Sequence, residues 1–219
     1  MRISSSRGRN GEGKEITAGV PQSEKPMCAS PKGSHSSPSS PIVALTGFMA
    51  AGKSTIGREL ARLLHWRFID LDCEIELETG LTIRDLFTQH GEEHFRKVET
   101  EALRIVLTQS TAPTVIALGG GTFVQPQNAG QLREHGVRVV FLEHDLQKLL
   151  QRCRNAGDRS PQNPRPLAVD EAAFCALYAQ RLPLYRKADV TVVPREKEAP
   201  GVALEVLKAL GLHARDHAR

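Results

Sequence analysis

Eight consecutive residues, Gly47 through Ser54 with the sequence GFMAAGKS, have the types and spacing needed to hold a polyphosphate. A triphosphate packs several negative charges into a small volume, so the chain around it must offer many donors without crowding it. Gly47 and Gly52 allow backbone N–H groups to turn inward. A helix starting near Lys53 presents its unpaired N–H groups and positive dipole end. Lys53 is predicted to reach the β- and γ-phosphates, and the Ser54 hydroxyl to bind magnesium. Ala50, Ala51 and Thr55 complete the candidate nucleotide contacts. The motif follows the apolar run 42–45 and precedes a helical pattern, the strand–loop–helix context such a site requires. A plain strand-to-helix turn would have no need of the Lys53–Ser54 pair. The first substrate is therefore predicted to be a nucleoside triphosphate with magnesium.

The acceptor side is read from acids, arginines and glycines. Asp70 and Asp72 stand two residues apart at the end of a predicted strand over 67–71, a spacing that puts both carboxylates on one face. Ligands of an open parallel sheet collect beyond the carboxyl ends of its strands. One carboxylate can hold magnesium while the other accepts a hydrogen bond from a hydroxyl. The alternative is a pair of helix-capping acids, with Asp72 as the cap. Arg96, between Phe95 and Glu99, can grip a carboxylate through a two-pronged guanidinium, and Arg181 opens the run Arg-Leu-Pro-Leu-Tyr on the helix that follows the lid. Gly119, Gly120 and Gly121 follow a strand and let a small molecule rest against bare backbone. Arg165 ends a polar, proline-containing stretch with the composition of a lid, about 155–168, from which a guanidinium can close over transferring phosphate. Each feature alone is weak; together they describe a pocket for a small anionic polyol.

The elements that must position these groups alternate. Strands are predicted over 42–46, 67–71, 114–118, 137–142 and 189–193, and helices over 54–64, 127–134, from Asp145 past 153, over 169–186 with Pro183 inside, and over 199–210. Residues 73–107 read as several helices, broken at Thr79–Gly80 and His90–Gly91, with Thr82 capping the second. The alternation predicts a parallel sheet covered on both faces.

Composition narrows the class. The chain has 219 residues, of which 40% are hydrophobic and 25% charged, enough for one ordinary domain. Residues 1–41 hold 20 Ser, Pro or Gly and no apolar period, so they are expected to be a disordered extension. The net charge of +4 is concentrated there: the rest carries 23 Lys/Arg against 22 Asp/Glu, without the basic excess a nucleic-acid binder needs. No apolar run is long enough to span a bilayer. Cys28, Cys73, Cys153 and Cys175 are scattered, which suits a reducing, cytoplasmic setting. His90 and His94 have helical ligand spacing but no third partner, and read as a solvated helix face.

In order and spacing, residues 42–195 resemble the shikimate kinase family. The resemblance rests on the loop 47–54, Asp70 with Asp72, Phe95-Arg96-Lys97-Val98-Glu99, Gly119 to Gly121, Arg165-Pro166-Leu167 and Arg181-Leu182-Pro183-Leu184-Tyr185. It implies a three-layer α/β sandwich of the P-loop nucleoside-monophosphate-kinase type with a five-stranded parallel sheet. A kinase domain would span 42–212, with a short tail over 213–219. The implied reaction is transfer of the ATP γ-phosphate to the 3-hydroxyl of shikimate, in aromatic amino acid biosynthesis. Shikimate would then lie on Asp72, Arg96, Gly120 and Arg181. Lys53, Asp72 and Arg165 would be catalytic, and Ser54 and Asp70 would serve magnesium, Asp70 through water. Arg159 is the candidate for a second lid arginine at the nucleotide, with Arg154 as its competitor. A monomer with no membrane or nucleic-acid partner is expected. Ala50 replaces a glycine common in the family, and its methyl group requires a negative φ. Another small-molecule kinase, such as a gluconate kinase, would share the loop but leave Arg96 and Arg181 unexplained. A silent, nucleotide-binding homologue would have no need of the acids and arginines.

Overall fold

The computed structural model describes residues 41–157, 170–195 and 197–214, with the side chains of residues 156 and 157 left out. Five parallel strands form one sheet in the order β2-β3-β1-β4-β5. They are β1 (Ile42–Thr46), β2 (Arg67–Asp70), β3 (Thr114–Ala117), β4 (Arg138–Leu142) and β5 (Val190–Val192). Every residue of β1 and β3 is buried. Strands covered on both faces have no solvent side to make polar, which is why 42–45 and 115–117 read as apolar runs.

Among the described residues the helices are α1 (Lys53–Leu64), α2 (Leu71–Thr79), α3 (Ile83–Gln109), α4 (Pro126–Glu134), α5 (Leu146–Gly157), α6 (Glu171–Tyr185) and α7 (Ala199–Leu210). α1 buries Ile56, Gly57, Leu60, Ala61 and Leu64. Gly57 is dictated by packing: a Cβ there would lie 2.6 Å from Phe68 Cε2 on β2. α2 stops at Gly80, whose φ of 69° suits only a residue without a side-chain penalty. Thr82 then caps α3 by accepting from the Asp85 N–H, as its position predicts. α3 bends at Gly91, φ 79°, the second of the two breaks legible in the sequence.

Register aligns the carboxyl ends. Leu45 and Asp70 both pair with Ala117, and Thr46 pairs with Phe141. The segments that follow β1, β2, β3 and β4 therefore leave the same edge of the sheet. β2 ends one residue earlier than expected, at Asp70, and α2 begins at Leu71. Asp72 thus sits in the first turn of a helix rather than on a strand, so the two-residue strand spacing does not relate the two carboxylates. The helix N-cap is Asp70, whose side chain makes no capping bond, which removes the alternative of Asp72 as the cap. Most of the predicted lid, with Arg159 and Arg165, and nearly all of the extension 1–41 lie outside the described residues.

Candidate active site

The turn of Gly119, Gly120 and Gly121 is where the site converges. A Cβ on Gly119 would lie 2.8 Å from Asp72 Oδ1 and 3.0 Å from Glu99 Oε1. A Cβ on Gly121 would lie 2.5 Å from Arg96 Nη1. At these two glycines the protein's own side chains press on the turn. Gly120 is different: its missing Cβ points toward the phosphate loop, 3.7 Å from Met49 N and 3.9 Å from Gly47 O, ordinary contact distances. The Gly120 carbonyl accepts from Arg181 Nη1 at 3.3 Å and from the Tyr185 hydroxyl. Asp72, Arg96, Arg181 and the loop therefore all border three consecutive residues.

The loop is held from several sides. Lys53 Nζ donates to the Gly47 and Phe48 carbonyls at 3.0 and 3.1 Å, so its ammonium lies across the turn. Phe48 packs edge-on against Phe174 and Tyr178 of α6, ring centres 5.0 and 5.3 Å away. Ala50 adopts φ 60°, opposite to the expectation from its methyl group. The turn demands a left-handed residue at this point, and the loop accepts a steric penalty of about 1 kcal/mol there.

Asp72 carries a carboxyl pushed up from 3.8 to about 6. Burial is the main cause, opposed by the Lys53 ammonium and reinforced by Asp70, Glu99 and Glu76. Such a group is mostly ionised at neutral pH yet close enough to it to take and return a proton. Arg96 is fixed by two acids on its own helix: Nη1 donates to Glu99 Oε2 at 2.8 Å and Nη2 to Glu92 Oε1 at 3.0 Å. Burial opposes its charge, but the two carboxylates more than offset that and its pKa is raised. The Glu92 side chain is 67% exposed, so that bridge contributes little and can yield to a ligand carboxylate. Glu99 is the opposite case, 1% exposed and bonded as well to the Thr122 hydroxyl at 2.7 Å. A buried carboxylate needs such partners. Tyr185, fully buried, has its hydroxyl pushed up to about 12 by burial, and so remains a donor to Gly120.

Sequence reasoning passed over Arg152. It lines a cleft of about 270 Å³ beside the loop with Ala50, Ala51, Gly52, Thr55, Pro194 and Lys197. Arg154, the competitor named from sequence, instead pairs with Glu171 at 2.7 Å. Arg152 falls five residues before the end of α5, and nothing in its local sequence separates it from Arg154. A larger groove of about 550 Å³, lined by Phe123, Val139 and Leu184, holds none of the candidate residues. The rings of His90 and His94 are tilted against each other, centres 4.9 Å apart, on an exposed stretch of α3.

A sequence model of the family described as Shikimate kinase matches residues 49–211. The chain belongs to the shikimate kinase family. A shikimate kinase of Nitrobacter winogradskyi is 42% identical over 155 residues, 70% of this chain and 69% of that one. One from Thermus thermophilus is 41% identical over 175 residues, 79% of this chain and 91% of that one. Among solved structures, the shikimate kinase of Acinetobacter baumannii in complex with shikimate superposes with a TM-score of 0.68 at 33% identity, over 79% of this chain and 94% of that one. The five-stranded parallel sheet is the fold of these shikimate kinases. Among the described residues no helix is long and apolar enough to cross a membrane.

Proposed function

We propose that this chain transfers the γ-phosphoryl group of ATP to the 3-hydroxyl of shikimate, giving shikimate 3-phosphate and ADP, in the route to aromatic amino acids. The observation that carries this reading is the glycine turn bordered at once by Asp72, Arg96, Arg181 and the phosphate loop. ATP lies with its phosphates along Gly47 to Thr55 and its base in the cleft beside Arg152 and Pro194. Shikimate lies against Gly120, its carboxylate gripped by Arg96 and Arg181 and its hydroxyl directed at Asp72.

Asp72 orients the attacking hydroxyl and accepts its proton as the oxygen–phosphorus bond forms and the bond to the ADP oxygen breaks. Lys53 swings from its two carbonyls to the phosphates and neutralises charge on them. Ser54 and Asp70 are hard oxygen donors at the start of α1 and the end of β2, which fits magnesium, with Asp70 acting through water. Among the described residues no group of three His, Cys, Asp or Glu side chains could hold a metal. A magnesium ion held there would supply charge neutralisation to the transferring phosphate.

The test is an ADP-release assay with and without shikimate. ADP release that depends on shikimate, with a phosphorylated product, supports the reading. Release indifferent to shikimate, or dependent instead on a different polyol, refutes it.

A further inference from the structure

His144 belongs to no motif and is absent from every residue set considered above, yet it is built into the nucleotide cleft. It lies two residues past β4, is 4% exposed, and its Nε2 stands 3.0 Å from the Ala51 carbonyl oxygen. A carbonyl can only accept, so Nε2 carries the proton and donates. Arg152 Nη1 approaches the same Nε2 to 3.4 Å. Both groups are then donors, so this approach is a contact and not a hydrogen bond. Arg152 Nη1 donates instead to the Ala50 carbonyl, 3.5 Å away. The backbone of His144 is pinned in turn, because its carbonyl accepts from the Tyr178 hydroxyl at 2.9 Å. Burial and then the Arg152 charge lower its imidazole pKa, which favours the neutral ring.

The carbonyl it holds occupies a sensitive place. Ala51 lies between Ala50 and Gly52, both left-handed with φ 60° and 83°, and neither is held in that region by intrinsic preference alone. A trans peptide points its carbonyl and its N–H in opposite directions. Tying the Ala51 carbonyl to the imidazole therefore directs the Gly52 N–H away from it, as a donor to a phosphate oxygen. The same ring forms the wall against which Arg152 rests in the cleft.

We propose that His144 is a positioning residue for the nucleotide site, fixing the Ala51–Gly52 peptide through Nε2 and setting the place of Arg152. It acts through these two groups and touches neither reacting atom. The proposal rests on reading the loop as a nucleotide site, so its test measures ADP binding in the absence of shikimate. If the wild-type protein fails to use shikimate, the functional reading falls and the ADP comparison still stands.

The discriminating pair is His144→Gln and His144→Asn in the full chain, followed by titration calorimetry with ADP and magnesium. The glutamine amide reaches about as far as Nε2 and can donate to Ala51; the asparagine amide is too short. The expected result is an ADP Kd within about twofold of wild type for Gln and about tenfold weaker for Asn, the loss of one buried bond to the loop. The KM for ATP should follow the Kd, while the KM for shikimate moves less than about twofold. Should the Asn variant not fold, His144→Met, apolar and of similar reach, takes its place with the same expected values. Normal ADP binding by Asn, equal weakening by Gln and Asn, or an equal rise in the shikimate KM would each overturn the proposal.

Discussion

Replacing Asp72 by asparagine should make this protein more stable and far less active at the same time. The carboxyl is raised from 3.8 to about 6, mainly by burial. An acid whose folded pKa lies above its unfolded value binds more protons folded than unfolded between the two, so the folded state loses stability as pH rises through that window. At 1.36 kcal/mol per pH unit the full effect above pH 6 is about 3 kcal/mol. The asparagine is neutral but does not satisfy every bond the acid could make, so a gain of about 1–2 kcal/mol is expected at pH 7.5. For a domain of this size that is a Tm rise of about 2–8 °C, shrinking toward zero below pH 4. Turnover should fall by about 10²–10⁴, the range for removing a general base, with the ADP Kd nearly unchanged. In the wild type, activity should rise with pH about tenfold between pH 5 and pH 7 as the carboxylate ionises. Melting curves over pH 4–8 and steady-state kinetics on the same preparations check both halves. Full turnover by the variant would remove Asp72 from the chemistry, and a lower Tm at pH 7.5 would show that burial is not what raises its pKa.

Three further outcomes follow from the same geometry. Arg96→Ala should raise the KM for shikimate at least tenfold more than that for ATP, and destabilise the fold by about 3–5 kcal/mol by leaving buried Glu99 without its cation; steady-state kinetics and denaturant melts read both. Ala50→Gly relieves a left-handed alanine and should raise stability by up to about 1 kcal/mol, read as a shift in the denaturant midpoint. Gly120→Ala fits the fold, since its Cβ would meet only atoms at 3.7 and 3.9 Å. It should melt within about 2 °C of wild type, a change of under about 1 kcal/mol, yet weaken shikimate binding, because the methyl group projects toward the phosphate loop and narrows the gap in which the acid is to meet the phosphates.

Much of this was legible in the sequence because it is local. The loop, the Thr82 cap, the breaks at Gly80 and Gly91 and the buried runs of β1 and β3 are set by residues a few positions apart. What escaped depends on long-range contact. The end of β2 moved to Asp70 because α2 starts directly at the sheet edge, which placed Asp72 by a helix turn. Ala50 took a left-handed conformation because the loop around it imposes one. The glycine turn was expected to bare its backbone to a ligand throughout, but Gly119 and Gly121 make room for Asp72, Glu99 and Arg96, and only Gly120 faces the loop. Arg152 and His144 meet the loop from 102 and 93 residues away, a separation at which no sequence pattern carries the signal.

The most direct test of the account is a crystal structure of the full chain with ADP, magnesium and shikimate. The shikimate carboxylate should lie between Arg96 and Arg181, its ring against Gly120, and its 3-hydroxyl within hydrogen-bond reach of Asp72 and in line with the terminal phosphate of ADP. An acid bound away from the glycine turn, or one turned so that its carboxylate meets Asp72, would contradict it.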